Sequence, residues 1–280
     1  MRSRLATSIA AVALVLAACS SVATPSPSVA PASAGATSAP STGATGGLTI
    51  YGAASLKAAL AKVQTAYTAA YPGTTFTIST DSSSALETKI EQGAPADVFL
   101  SADTTNPQKL VDKGLAAGTV VKFAGNLLTV IVPTANPAGI QTPADLAKTG
   151  VKVIAAGDTV PITKYATTLV ATLAKQTGYP ADFVARYTAN IASKEDNVAA
   201  LVSKVELGEG DAGIVYVTDA KTSTKVTTIA VPGGANVPAT YGGVVVKASV
   251  NAAAAQTFLT WLAGPDGQAI LASFGFLPAS

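Results

Sequence analysis

The feature that most constrains this chain is a regular alternation of short apolar runs with longer amphipathic stretches. Leu48-Thr49-Ile50-Tyr51 reads as a strand, and Leu56 to Tyr71 as an amphipathic helix opened by Ser55 as N-cap. Thr75 to Ser79 is a second strand, followed by a helix over Ala85 to Gly93. Val98-Phe99-Leu100 is a third, followed by a helix through Pro107 to Val111. Strands joined by helical crossovers lie parallel, so this series predicts an α/β layer with helices on the faces of a parallel sheet.

A second series follows. Leu127 to Val132, Val151 to Ala155 and Gly213 to Val217 read as strands, with helices over Lys164 to Thr177, Phe183 to Thr188 and Asp196 to Gly208 between them. Two more strands, Lys225 to Val231 and Gly243 to Lys247, precede a helix over Asn251 to Ala263, a Gly264-Pro265 break and a last helix to Phe274. The pattern predicts two α/β lobes with the chain crossing between them: residues 48–130 with 237–280 in one, 131–236 in the other. No short internal sequence repeat is visible.

The first 47 residues belong to neither lobe. Arg2 and Arg4 precede an apolar run from Leu5 to Ala18, the make-up of a secretory signal over residues 1–18. That run is shorter than the roughly 20 residues a spanning helix needs. Its ending, Leu16-Ala17-Ala18-Cys19, resembles a bacterial lipobox, which implies lipidation of Cys19 and anchoring at the outer face of the cell membrane. Cys19 is the only cysteine, so no intrachain disulfide can form. Residues 20–47 are Ser, Ala, Thr, Pro and Gly-rich without Lys, Arg, Asp or Glu, the composition of a disordered tether.

Composition excludes several activities. Without Arg2 and Arg4 the chain has 16 basic and 16 acidic residues and no basic cluster, which argues against a nucleic-acid partner. It contains no His, so Ser-His-Asp and Cys-His catalysis and His-based zinc sites are out. Lys148-Thr149-Gly150 matches one β-lactamase motif, but no Ser-x-x-Lys accompanies it, and no Walker loop is present. Asp97 and Asp103 read as helix-capping or hinge carboxylates. The chain is expected not to be an enzyme and to need no cofactor.

What remains is a set of polar turns leading into helices: Ala53-Ala54-Ser55-Leu56, Asp81 to Leu86, Gly157 to Ile162, and Glu195-Asp196-Asn197-Val198. Each presents free backbone N–H groups at the positive end of a helix, and serine hydroxyls add rotatable donors. In open α/β folds such turns sit beyond the carboxyl ends of the strands, where ligands bind. Two turns from each series suggest a cleft that closes on one anion.

Several segments make the resemblance specific. They are Ala53-Ala54-Ser55-Leu56, Ser82-Ser83-Ser84, the run from Gln92 through Gly93-Ala94-Pro95-Ala96-Asp97-Val98-Phe99 to Asp103, Glu195 to Val198, Gly213 to Tyr216, and Gly264 to Gln268. From Leu48 to Pro278 the chain resembles the molybdate-binding proteins of bacterial ABC importers. The resemblance implies the two-lobed periplasmic-binding-protein fold (type II), each lobe a mostly parallel sheet flanked by helices. It also implies a binding set: the hydroxyls of Ser55 and Ser83, the backbone N–H of Ile162 and Val198, and the Tyr216 phenol. Two departures stand out. Relatives carry Pro-Ala-Gly where this chain has Pro161-Ile162-Thr163, and a small residue at Asp81, whose carboxylate is therefore expected to face solvent.

The implied partners are molybdate or tungstate, a membrane permease and, through the lipid, the membrane; molybdenum enters only as its oxyanion, and the working unit is a monomer. Sulfate or phosphate reception by the same fold, and a cell-surface interaction lipoprotein without a ligand, are the competing readings.

Overall fold

The computed structural model describes residues 45–279. The signal segment 1–18, Cys19 and the tether as far as residue 44 lie outside the described residues. In chain order the elements are β1 (Gly47–Ala53), α1 (Lys57–Ala70), β2 (Thr75–Asp81), α2 (Ser83–Glu91), β3 (Val98–Ser101), α3 (Thr105–Asp112) and β4 (Val121–Asn126). Then come β5 (Leu128–Pro133), β6 (Val153–Ala156), α4 (Pro161–Leu173), α5 (Phe183–Ala189), β7 (Ile191–Glu195), α6 (Val198–Glu206), β8 (Ala212–Tyr216), α7 (Val217–Thr222) and β9 (Val226–Ile229). The chain closes with β10 (Ala239–Val245), α8 (Ala252–Ala263) and α9 (Pro265–Ser273).

These strands form two five-stranded sheets flanked by helices. The first has the order β2-β1-β3-β10-β4 and the second β7-β6-β8-β5-β9. In the first, β1 runs parallel to β2 and β3, while β10 is antiparallel to β3 and β4. The second repeats the plan: β6 is parallel to β7 and β8, and β5 is antiparallel to β8 and β9. Parallel strands buried on both faces are apolar throughout, as in Val98-Phe99-Leu100 and Ala212 to Tyr216, where every residue is buried.

The chain crosses between sheets twice. The first crossing is immediate, from Asn126 at the end of β4 to Leu128 at the start of β5. All of β5 therefore pairs in the second sheet, and the sequence-derived boundary at residue 130 falls inside a strand. The second crossing runs from Ile229 to Ala239 through a 3₁₀ turn at Gly233–Ala235. Asn236 joins the crossings: its side chain accepts from the Leu128 N–H at 3.0 Å and donates to the Leu128 carbonyl at 2.8 Å. One contiguous apolar core runs through both lobes, and Phe123, Tyr216 and Tyr241 lie within it.

Ser55 does not cap the first helix as expected. Ala54–Leu56 forms a 3₁₀ turn ahead of α1, and neither start shows a side-chain cap. The Ser55 hydroxyl turns inward instead, to Tyr241.

Candidate functional site

Three helix starts meet in the cleft between the sheets. α2 begins at Ser83, behind Ser82, whose hydroxyl accepts from the Ala85 N–H at 3.2 Å. α6 begins at Val198, behind Asn197, whose side-chain oxygen accepts from the Ala200 N–H at 3.0 Å. Each cap satisfies the third N–H of its helix and leaves those of the first two residues without an intrahelical acceptor. α4 starts differently. Its N-cap Val160 offers no side-chain cap, Pro161 has no N–H, and the Thr163 N–H bonds back to the Val160 carbonyl at 3.0 Å. Ile162 is thus the residue of that first turn left with an N–H to offer.

Ser55, Ser83, Ile162, Val198 and Tyr216 all line one cavity, with Ala102 and Pro161 in the same wall. No lining residue is charged. The cavity has a volume of about 210 Å³, counting its mouth. Such a space suits a small guest rather than a peptide. Among the described residues no group of three metal-ligating side chains comes together.

Each serine has a second partner behind it. The Ala102 N–H donates to Ser83 Oγ at 3.0 Å, so the Ser83 hydrogen is free for the cavity. Ser55 Oγ lies 2.9 Å from Tyr241 Oη. Both serines are buried, Ser83 to 1% exposure and Ser55 to 8%.

Tyr216 ends β8 and is 1% exposed, yet its hydroxyl has no hydrogen-bond partner among the described residues. Its ring is fixed by edge contacts with Tyr165 and Tyr241 at centroid distances of 6.2 and 5.6 Å. An unpaired buried hydroxyl costs about 1–3 kcal/mol, and this one belongs to a residue of the cavity wall. Burial raises the phenol's pKa well above its ordinary value, with Tyr241 adding to the rise, so Tyr216 stays protonated and donating.

A second ring of residues escaped the sequence reading. Asn126 donates to Thr218 Oγ1 at 2.8 Å and to Tyr241 Oη at 3.3 Å, linking both crossings and α7. No spacing signalled Tyr241 or Asn126, because their roles arise from crossings far apart in sequence. Ala102 lies within the quoted motif ending at Asp103, but its part is played by a backbone N–H that any residue would carry.

The acidic residues resolve into structural roles. Asp97 accepts from the Thr49 N–H at 2.7 Å and from Ser249 at 2.5 Å. Asp103 accepts from Ser101 at 2.8 Å and from the Asn106 N–H at 3.0 Å. Asp81 departs from expectation. Rather than simply facing solvent, it accepts from the Ser82 N–H at 2.8 Å, from Lys89 at 3.2 Å and from Asn197 of the opposite lobe at 3.1 Å. Burial pushes its carboxyl up, but these donors outweigh it and hold the pKa below the usual value. Asp81 is not among the cavity-lining residues; its bond from Asn197 lies outside that wall.

Comparison with known proteins agrees with this architecture. Residues 48–277 match the family described as bacterial extracellular solute-binding protein. The molybdate-binding protein ModA of Mycobacterium tuberculosis is 33% identical over 230 residues, spanning 82% of this chain and 84% of the relative. Among solved structures, the periplasmic molybdate-binding protein of Azotobacter vinelandii superposes with a TM-score of 0.71 at 23% identity, covering 83% of this chain and all of that one. The sulfate-binding protein SubI of M. tuberculosis superposes with a TM-score of 0.73 at 21% identity, covering 83% and 86%. These two structures show the shared two-lobed fold. The chain belongs to the bacterial extracellular solute-binding proteins, a family of receptors and not of enzymes.

Proposed function

We propose that this protein captures molybdate or tungstate in the interlobe cavity and delivers it to an ABC permease, from an anchor at Cys19 on the outer face of the cell membrane. One observation carries the reading: Ser55, Ser83, Ile162, Val198 and Tyr216, drawn from both lobes, line a single cavity with no charged residue in its wall. The M. tuberculosis relative, named for molybdate binding, supports the choice of guest.

The chemistry is solvent substitution. Two serine hydroxyls, a phenol and the N–H groups of Ile162 and Val198 replace the water around a doubly negative ion. Each such bond contributes about 1.5–3 kcal/mol to a charged guest. No fixed cation lines the wall, which leaves release possible when the lobes part. Hydrogen phosphate carries a proton that needs an acceptor, and leaving it unpaired costs about 1–3 kcal/mol.

Sulfate is a second reading, favoured by the small size of the cavity. Titration calorimetry with molybdate, tungstate, sulfate, phosphate and chloride separates the two. Tight one-to-one binding of only the first two is expected; a sulfate preference transfers the assignment, and silence from every anion removes it.

A further inference from the structure

We infer that Tyr241 is a positioning residue for oxyanion capture, donating its phenol hydrogen to Ser55 so that the Ser55 hydrogen is aimed at the guest. The inference rests on the oxyanion reading proposed above and concerns a side chain that does not line the cavity.

The direction of each bond follows from what its neighbours can do. The Leu127 N–H can only donate, and it meets Asn126 Oδ1 at 3.0 Å. That fixes the amide, so its nitrogen faces Thr218 Oγ1 and Tyr241 Oη. Tyr241 Oη therefore accepts from Asn126. Its own hydrogen needs an acceptor, and Ser55 Oγ at 2.9 Å is the one within reach among the described residues. Asp219 acts on Tyr241 through its charge only, while one of its carboxylate oxygens has no hydrogen-bond partner. Were Ser55 to donate to Tyr241 instead, the phenol hydrogen would be buried with nothing to accept it, an arrangement disfavoured in a fully buried side chain.

The result is a chain in which every member donates forward: Asn126 to Tyr241, Tyr241 to Ser55, and Ser55 into the cavity. Bonds aligned in this way polarise one another and strengthen the last donor. The ring is held for the task. Phe123, Phe276 and Tyr216 meet it edge-on at centroid distances of 6.1, 5.4 and 5.6 Å. β10 has an irregular register against β4 between Tyr241 and Gly242, the kind of local kink that re-aims a side chain. Ser83 reaches the same state through the Ala102 peptide, so Ser55 is the serine whose donor sense depends on a side chain that can be replaced.

A double-mutant cycle tests the relay in the full protein, titrated with whichever of molybdate, tungstate or sulfate the wild type binds tightest. Tyr241→Phe alone should weaken that anion by about three- to tenfold, the range of one neutral hydrogen bond. In a Ser55→Ala background the same substitution should change affinity less than twofold, because Tyr241 acts through Ser55. Thermal melts of all three variants confirm folding. Loss of the same size in both backgrounds, or no loss in the first, overturns the relay while leaving the oxyanion reading intact. A wild type that binds none of the three anions overturns both.

Discussion

The Tyr216 hydroxyl is buried and has no hydrogen-bond partner among the described residues. Its physics predicts opposite effects on two properties. Tyr216→Phe should weaken molybdate binding at least tenfold by calorimetry, yet raise the melting temperature of the unliganded protein by a few degrees, since an orphaned buried hydroxyl costs about 1–3 kcal/mol. A fall in both would mean that the phenol has a structural partner. Asp219 offers a prediction in pH. Its carboxyl is fully buried, and burial lifts its pKa from the ordinary 3.8 to about 7 against the lowering effect of the Tyr216 N–H. A group whose folded pKa is raised binds more protons folded than unfolded, so stability is lost as pH rises through this window. Melting temperatures should therefore fall between about pH 4 and 7 in the wild type and stay flatter in Asp219→Asn. Parallel profiles would show that Asp219 is not the group responsible.

At the scale of elements, most of the alternation was legible because buried parallel strands and amphipathic helices carry strong periodic signals. The losses have physical causes. β7 is an edge strand, Ile191-Ala192-Ser193-Lys194-Glu195, with alternate residues exposed and no apolar run. β4, Val121 to Asn126, is broken by Lys122 and Gly125 and carries no long apolar run, and it abuts β5 across Leu127, where the chain changes sheet. α7 is six residues long and follows β8 without a break. Of the site, the five lining residues were reachable through family motifs, while Tyr241 and Asn126 were not, because they are set by tertiary contacts. The helix starts themselves can be tested. Asn197 caps α6 and bonds Asp81 across the cleft. Asn197→Ala should lower stability by about 1 kcal/mol through the lost cap and weaken anion binding by more than Asp81→Ala does; equal effects would leave the cap without a role in binding. Gly267 has a plainer duty. A side chain there would collide with the Leu262 backbone where α9 packs on α8, so Gly267→Ala should destabilise by about 1–3 kcal/mol without altering the anion preference.

The whole molecule is two copies of one plan. Both sheets place a central parallel strand between two others, then an antiparallel pair, although no short repeat exists in the sequence. Packing rules that many sequences satisfy allow the two halves to share a topology without sharing a visible sequence repeat. The plan also places the candidate cavity in the crevice between the halves, beside two crossings that Asn236 joins. On the reading proposed above, donors gathered from both sides would bind fully only when the cleft is shut, which would make capture and closure one event. A crystal structure of the protein grown with molybdate tests this most directly. The account predicts one tetrahedral ion between the sheets, its oxygens within hydrogen-bond distance of the Ser55, Ser83 and Tyr216 hydroxyls and the N–H groups of Ile162 and Val198. An ion bound elsewhere, or a cleft that closes with those hydroxyls turned away from it, would contradict it.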